Sequence, residues 1–121
     1  MYSILIIDDE PIVKIALRSI LPWEEHGFSI CGTASNGLEA MPLIEKHQPD
    51  VIITDLKMPE MDGLEATRII RKVFQEIPII ALTAFAFDDD RVKALEAGCN
   101  DYLTKPLSAP LLKETIAKYL V

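Results

Sequence analysis

The stretch "DVIITDLKMPEMDGLEA" (residues 50–66) sets the pattern from which the fold of this chain can be read. Its apolar run has the length and β-branched content of a buried strand, and the run ends at the acid Asp55. "DGLE" at 62–65 then places a capping aspartate three residues before a glutamate, a pattern typical of a helix start. The stretch therefore predicts a strand and a helix, with a carboxylate after the strand that could cap a helix, bind a metal or act as a nucleophile.

The same strand–helix unit is repeated along the chain. Apolar runs predict strands at 2–7, 28–33, 50–54, 77–82 and 101–104, and amphipathic patterns predict helices at about 11–21, 36–47, 62–74, 88–97 and 108–120. Because the strands show little polar alternation, they indicate a parallel sheet covered on both faces. We therefore expect an α/β fold, a three-layer doubly wound sandwich.

Several residues mark where the predicted helices begin and end. Pro11 suits a first helical turn, and Ser108 is a helix-capping residue. "NGLE" at 36–39 places the capping residue Asn36 three residues before a glutamate, the pattern of a capping box. Gly98 is a typical C-terminal stop. Pro42 falls inside the second helix, where its missing N–H is expected to cause a kink.

Composition limits the class of protein. A chain of 121 residues, half of them hydrophobic and 26% charged, predicts one globular domain over residues 1–121. The net charge of −7 argues against direct contact with nucleic acid or an anionic membrane. We find neither a membrane-spanning run nor the basic start of a signal peptide. Cys31 and Cys99 lack metal-ligand spacing, which favours two reduced thiols in a cytoplasmic protein.

Acidic residues are expected to meet at one edge of the sheet. In an open α/β sheet, ligands bind outside the carboxyl ends of the strands. The polar residues that follow the strands are Asp8, Asp9, Glu10, Asp55, Thr83 and Lys105. Three aspartates gathered there would either protonate or need a cation. Because Lys105 supplies one positive charge, a hard divalent ion such as Mg²⁺ would bring the cluster to neutrality.

The same residues fit phosphoryl chemistry. Thr83 offers a hydroxyl donor and Lys105 an ammonium group, the positioning and charge-neutralising groups that phosphoryl transfer requires. No glycine-rich loop is available for a nucleotide, so the phosphate must be held covalently or through the metal. Asp55 stands alone on its strand, whereas Asp8 and Asp9 form a pair. We therefore interpret Asp55 as the nucleophile, which would give an aspartyl phosphate.

The motifs "IIDDEP", "DVIITDLKMPEMDG", "IIALTA" and "DYLTKP" resemble, in this order, the receiver domain of two-component response regulators over essentially the whole chain. The resemblance implies a flavodoxin-like (βα)₅ fold with strand order 2-1-3-4-5. It implies transfer of a phosphoryl group from the phosphohistidine of a sensor histidine kinase to Asp55, with Mg²⁺, for which Mn²⁺ can substitute. The domain would be a phosphoacceptor that assists its own phosphotransfer and autodephosphorylation, and not an enzyme acting on other substrates.

The resemblance also implies a metal-ligand set. Asp9 would bind the metal directly and Asp8 mainly through water. Asp55 and the backbone carbonyl of Lys57 would be further ligands.

Other residues would act on the phosphoryl group and the switch. Lys105 would contact one phosphoryl oxygen, and Thr83 would move to hydrogen-bond another. Tyr102 matches an aromatic side chain that rotates inward on activation, although it could also be a half-buried strand residue with no switching role. Lys105–Pro106 matches a cis peptide bond of the family.

Partners follow from the same resemblance. The donor would be a sensor histidine kinase or a phosphotransfer protein, and the surface of helix 4, strand 5 and helix 5 would control an output domain or effector. Phosphorylation could also drive homodimer formation. The first half resembles receivers that precede helix-turn-helix outputs and the second half receivers of hybrid histidine kinases. The alternative function is therefore an interaction module of a hybrid kinase, or an engineered chimera, that is not phosphorylated in vivo.

Two rival classes lack their expected residues. A phosphatase of the haloacid-dehalogenase group would need a second acid two residues after its nucleophile, where this chain has Lys57, and its nucleophile would be on strand 1. A flavodoxin would need a glycine- and hydroxyl-rich loop after strand 1, where this chain has Asp8, Asp9 and Glu10.

Overall fold

The structure of the protein is a computed structural model that describes residues 2–55, 63–83, 88–104 and 108–120. Four residues that the sequence singled out, Lys57, Asp62, Lys105 and Pro106, lie outside these ranges. None of the helices in the described ranges combines the length and apolar character that a bilayer-spanning helix requires.

Strands and helices alternate along the chain, as the sequence predicted. The elements are β1 (Tyr2–Ile7), α1 (Pro11–Ile20), a 3₁₀ turn (Trp23–His26), β2 (Phe28–Ala34), α2 (Gly37–His47), β3 (Val51–Asp55), α3 (Gly63–Val73), β4 (Ile79–Thr83), α4 (Asp88–Ala97), β5 (Asp101–Thr104) and α5 (Ala109–Ala117). The five strands form one parallel sheet in the order β2-β1-β3-β4-β5, which confirms the predicted topology.

Apolar side chains cover both faces of the sheet. On one face, strand residues pack against α2, α3 and α4, whose buried side chains include Ala40, Ile44, Ala66, Ile70 and Ala94. On the other face they pack against α1 and α5 through Leu17, Leu112 and Ile116. Every residue of β3 and β4 is buried, as expected for central strands that are covered on both sides.

The helix starts follow the predicted caps, with one difference. The Asn36 side chain accepts a hydrogen bond from the Glu39 N–H at 2.9 Å, and Ser108 accepts one from Leu111 at 3.4 Å. In a capping box, the Glu39 carboxylate would accept a hydrogen bond from the N–H of Asn36. In this structure the Glu39 carboxylate accepts a hydrogen bond from the N–H of Ser35 instead, at 2.9 Å. Helix α2 continues through Pro42.

The segment after α1 forms a 3₁₀ turn that leads into β2. The side chains of Trp23, which begins this turn, and Phe28, which begins β2, are both buried in the core. The two rings meet edge to face with their centroids 6.2 Å apart. The indole N–H of Trp23 donates to the carbonyl of Leu17 at 2.9 Å, which satisfies its buried polar group.

Strand β4 begins later than the apolar run indicated. The run "IPIIAL" predicted a strand from residue 77, whereas β4 begins at Ile79. Pro78 has no N–H to donate to a neighbouring strand, although its carbonyl accepts a bond from Ile52 at 2.9 Å.

Candidate functional site

The strand register brings the ends of β1 and β3 together. Ile7 pairs with Thr54, so the residues that follow them, Asp8 and Asp55, lie next to each other at the carboxyl edge of the sheet. The N–H of Asp8 donates to the carbonyl of Ala34 at 2.9 Å, which ties the same point to the end of β2. Asp8 is therefore held at this edge, next to the ends of both β2 and β3.

Three carboxylates form a compact cluster at this edge. Asp8, Asp9 and Asp55 each offer a carboxylate oxygen, and these oxygens all lie within 4.8 Å of one another. Asp8 is fully buried, Asp55 is 5% exposed, and Asp9 is half-buried. One oxygen of Asp8 accepts a hydrogen bond from the Glu10 N–H at 2.9 Å. The structure thus brings together the three acids that the sequence selected.

The donor set suits a hard divalent cation. At the separation within this cluster, each pair of charged carboxylates would repel by roughly 3–4 kcal/mol at an effective dielectric constant near 20, before any screening. The Oδ1 atom of Asp9 is buried and accepts no hydrogen bond from the residues that the structure describes. A buried carboxylate oxygen of this kind is a good ligand for Mg²⁺, which prefers oxygen ligands and keeps several waters. The residues present therefore fit the ion.

Thr83 and Tyr102 lie on the adjoining strands. Thr83 ends β4, is 1% exposed, and pairs with Thr104, the residue before Lys105 in the sequence. Tyr102 pairs with Ala81 and is half-buried against the layer formed by α2, α3 and α4. Thr83 and Tyr102 are thus on neighbouring strands and, two residues apart in register, on the same face of the sheet.

Some contacts near these residues were not predicted. The guanidinium carbon of Arg91 lies 5.7 Å from the centroid of the Tyr102 ring, a cation–π distance. The ammonium group of Lys14 donates to the hydroxyl of Ser35 at 3.0 Å. Each contact joins a helix to a strand or to the residue that follows a strand. The only indication of either contact in the sequence was a cationic residue near the start of a predicted helix.

Both cysteines are free, as the sequence predicted. Cys99 is buried, and burial raises the pKa of its thiol, although the Thr67 hydroxyl at 3.5 Å and the charge of Arg71 act in the opposite direction. Burial also raises the pKa of Cys31. Neither thiol belongs to the acidic cluster.

Comparison with known proteins identifies the family of this chain. The chain matches the family described as the response regulator receiver domain over residues 4–117. It is 38% identical over 120 residues to the polar-differentiation response regulator DivK of Brucella anthropi, covering 98% of this chain and 95% of that protein.

Solved structures give the same result. A two-component response regulator of the LuxR family from an Aurantimonas species has a TM-score of 0.89 at 31% identity, covering 98% of this chain and 84% of that one. The signal receiver domain of a signal transduction histidine kinase from Syntrophus aciditrophicus has a TM-score of 0.84 at 35% identity, covering 99% and 90%.

The chain belongs to the response regulator receiver domain family, and it is a receiver domain of two-component signalling. Its fold is the flavodoxin-like fold of that family. Receiver domains bind Mg²⁺ at an acidic pocket, and this chain has an acidic cluster of Asp8, Asp9 and Asp55 at the carboxyl edge of its sheet.

Proposed function

We propose that Asp55 accepts a phosphoryl group from the phosphohistidine of a sensor histidine kinase or phosphotransfer protein, in a reaction that requires Mg²⁺. The observation that carries this proposal is the cluster of three carboxylate oxygens within 4.8 Å, with Asp55 at the end of the buried strand β3. Asp55 is the member of the cluster that stands on a central strand, which supports its role as the nucleophile.

The transfer is a displacement at phosphorus. A carboxylate oxygen of Asp55 attacks the phosphorus atom, the new O–P bond forms, and the N–P bond of the donor breaks with its electron pair left on the imidazole nitrogen. Asp8 and Asp9 would hold the ion together with Asp55 and the carbonyl of Lys57. When bound, Mg²⁺ neutralises negative charge on the carboxylates and on the transferred group. Lys105 would contact a phosphoryl oxygen.

The switch would run from Thr83 to Tyr102. The aspartyl phosphate adds nearly two negative charges, and the Thr83 hydroxyl would turn towards it. That movement would leave space on the shared face of β4 and β5 into which the half-buried Tyr102 ring could rotate, at the expense of its contact with Arg91. The equilibrium between two arrangements of this surface would then depend on phosphorylation.

Exposed apolar side chains support two partner surfaces. Ile12 and Ile15 on α1 are 79% and 64% exposed, close in sequence to the acidic cluster, where a phosphoryl donor must dock. Val92, Leu95 and Leu111 are 49%, 43% and 50% exposed on α4 and α5, on the surface proposed to control an output domain or effector. Exposed apolar side chains gain free energy when a protein contact removes them from water. The two free thiols support a cytoplasmic location.

Labelling with a small phosphodonor tests the assignment. We expect acetyl phosphate and Mg²⁺ to add one phosphoryl group that hydroxylamine removes, and Asp55→Asn to abolish the addition. Asp50→Asn is a matched control, because Asp50 is an exposed aspartate that precedes the same strand at its opposite end. Intact-mass spectrometry distinguishes the outcomes. Equal labelling of Asp55→Asn would overturn the site, and no labelling of the wild type would favour an interaction module that is not phosphorylated.

A further inference from the structure

A closed ring of hydrogen bonds surrounds the turn that carries the paired acids. The N–H of Glu10 donates to Asp8 Oδ1 at 2.9 Å, and the N–H of Lys14 donates to the carbonyl of Glu10 at 3.2 Å. The Lys14 ammonium group donates to the Ser35 hydroxyl at 3.0 Å. The N–H of Asp8 donates to the carbonyl of Ala34, the residue before Ser35, at 2.9 Å. These bonds connect Asp8 back to itself through α1 and the end of β2.

The bond between Lys14 and Ser35 closes the ring. Lys14 is half-buried on α1, and Ser35 follows β2, 21 residues along the chain. Ser35 is also held from its other side, because its N–H donates to the Glu39 carboxylate at the start of α2 at 2.9 Å. The ammonium group of Lys14 is therefore attached to a point that is itself fixed.

Asp9 lies inside the segment that the ring encloses. It is flanked by Asp8 and Glu10, both of which belong to the ring, and its buried Oδ1 accepts no hydrogen bond from the described part of the chain. The orientation of Asp9 therefore depends on the backbone of its two neighbours. Because three carboxylates repel one another in the absence of a cation, a turn that is not held would open and move Asp9 away from Asp8 and Asp55.

We propose that Lys14 is a positioning residue for the cation site, acting through its hydrogen bond to Ser35 to hold the turn from Asp8 to Glu10 in its binding geometry. This inference rests on the proposed Mg²⁺ site and adds to it a residue that touches neither metal nor phosphate. A carboxylate set that is already in place loses less free energy when it binds an ion.

The charge of Lys14 alone would have the opposite effect. A cation beside an acidic cluster lowers its negative potential and so weakens the binding of a second cation. If Lys14 acted only through its charge, its removal would tighten binding, and loss of the Ser35 hydroxyl would leave binding unchanged. If Lys14 acts by positioning, both changes weaken binding.

Titration of the full chain with Mn²⁺, followed by the electron paramagnetic resonance signal of the free ion, separates these cases. Mn²⁺ is a suitable probe because carboxylate, carbonyl and water ligands suit both ions. We expect Ser35→Ala and Lys14→Met each to raise the Kd by about three- to tenfold, the effect of losing one hydrogen bond. Ser35→Thr and Lys14→Arg keep a hydroxyl and a donor, and should stay within about twofold of the wild type by the same reasoning.

Arg18→Met is the charge control. Arg18 is exposed one helical turn further along α1 and makes no side-chain hydrogen bond to another described residue, so its removal should not weaken binding. Circular dichroism of each sample establishes that the variants are folded. A Kd unchanged by Ser35→Ala, or lowered by Lys14→Met, would overturn the positioning role alone. A folded wild type that takes up no Mn²⁺ would overturn the proposed cation site itself.

Discussion

Gly98 ends α4 with a backbone angle that other residues rarely adopt. Its φ is 117°, and a Cβ atom added there would lie 2.6 Å from Cγ of Arg71. Arg71 is not free to move away, because its guanidinium group donates to the Gly98 carbonyl at 2.9 Å and to the Asn100 side chain at 2.6 Å. The same Asn100 oxygen accepts the N–H of Ile79 at 2.9 Å. A side chain at position 98 would therefore disturb α3, β4 and the start of β5 together.

We predict that Gly98→Ala lowers the free energy of unfolding by about 2–4 kcal/mol, from backbone strain and the displacement of Arg71. Gly27→Ala is the matched control. Gly27 also has a positive φ, 83°, but an added Cβ would meet no atom within 4 Å. It should cost only the strain, about 1 kcal/mol. Urea unfolding of the two variants measures the difference, and equal losses would contradict the role assigned to Arg71.

At the scale of the elements, the junction between β5 and α5 is held by polar side chains. The Tyr119 hydroxyl lies 2.9 Å from the carbonyl of Asn100 and 3.0 Å from a carboxylate oxygen of Asp101, which also accepts the Lys118 ammonium group at 3.2 Å. Burial raises the pKa of Asp101, but hydrogen bonds from the Tyr102 N–H, Lys118 and Tyr119 outweigh it, so the pKa lies below its ordinary value. Burial and the neighbouring Asp101 raise the pKa of Tyr119 to about 12.

This junction should give the stability of the protein a specific dependence on pH. Tyr119 has an ordinary pKa of 10.0 and a folded value of about 12, so its contribution is complete below pH 10.0 and is lost as the pH rises through about 12. We predict that the urea midpoint of the wild type falls more steeply over this range than that of Tyr119→Phe. Asp101 contributes stability above its ordinary pKa of 3.8, and this is lost as the pH falls through its lower folded value.

Parallel slopes for the wild type and Tyr119→Phe above pH 10.0 would show that the hydroxyl of Tyr119 is not coupled to Asp101 in solution. Tyr2→Phe is a useful control, since Tyr2 is a tyrosine on β1 that is 46% exposed. Its removal should leave the steeper fall in place.

The elements also show what the sequence can predict. Local signals were read correctly: the strand and helix order followed from periodicity, and the Asn36 cap followed from a pattern four residues long. The convergence of Asp8 and Asp55 followed from the rule that parallel strands end at one edge. The contacts between Arg91 and Tyr102 and between Lys14 and Ser35 were missed, because they depend on how far a helix lies from a strand and on its rotation about its axis.

At the scale of the whole molecule, the buried core on the two faces of the sheet compensates for the repulsion between carboxylates at the carboxyl edge of the sheet. Most of the apolar side chains that fill the layers are fully buried, among them Ile4, Leu5, Ile52, Ile80 and Leu112. The carboxylates of Asp8, Asp9 and Asp55 oppose this stabilisation, because their oxygens lie within 4.8 Å of one another and two of the three residues are buried. The arrangement that fits a cation therefore reduces the stability of the chain without one, as is common at functional sites.

The repulsion between these carboxylates leads to a prediction that can be tested on the intact chain. Asp9→Asn removes one charge from the cluster and keeps its shape, so we expect the free energy of unfolding without divalent ions to rise by about 1–2 kcal/mol, a screened part of the Coulomb repulsion. Mg²⁺ should stabilise the wild type by binding the folded state, by about 2.7 kcal/mol at one hundred times its Kd, and Asp9→Asn much less. Glu45→Gln makes the same change in net charge at an exposed position on α2. It should neither raise the free energy of unfolding without divalent ions nor reduce the stabilisation by Mg²⁺.

Emission from Trp23, which is 6% exposed, reports unfolding in each case. Because Trp23 follows α1 at the end away from the acids, and a helix of ten residues is about 15 Å long, Mg²⁺ should hardly quench the native emission. The measurement is a set of urea titrations with Mg²⁺ or with a chelator. If Asp9→Asn were less stable than the wild type without Mg²⁺, the contacts of the Asp9 carboxylate would outweigh its repulsion by Asp8 and Asp55. If Asp9→Asn kept the full Mg²⁺ response, the ion would be bound somewhere other than the cluster of Asp8, Asp9 and Asp55.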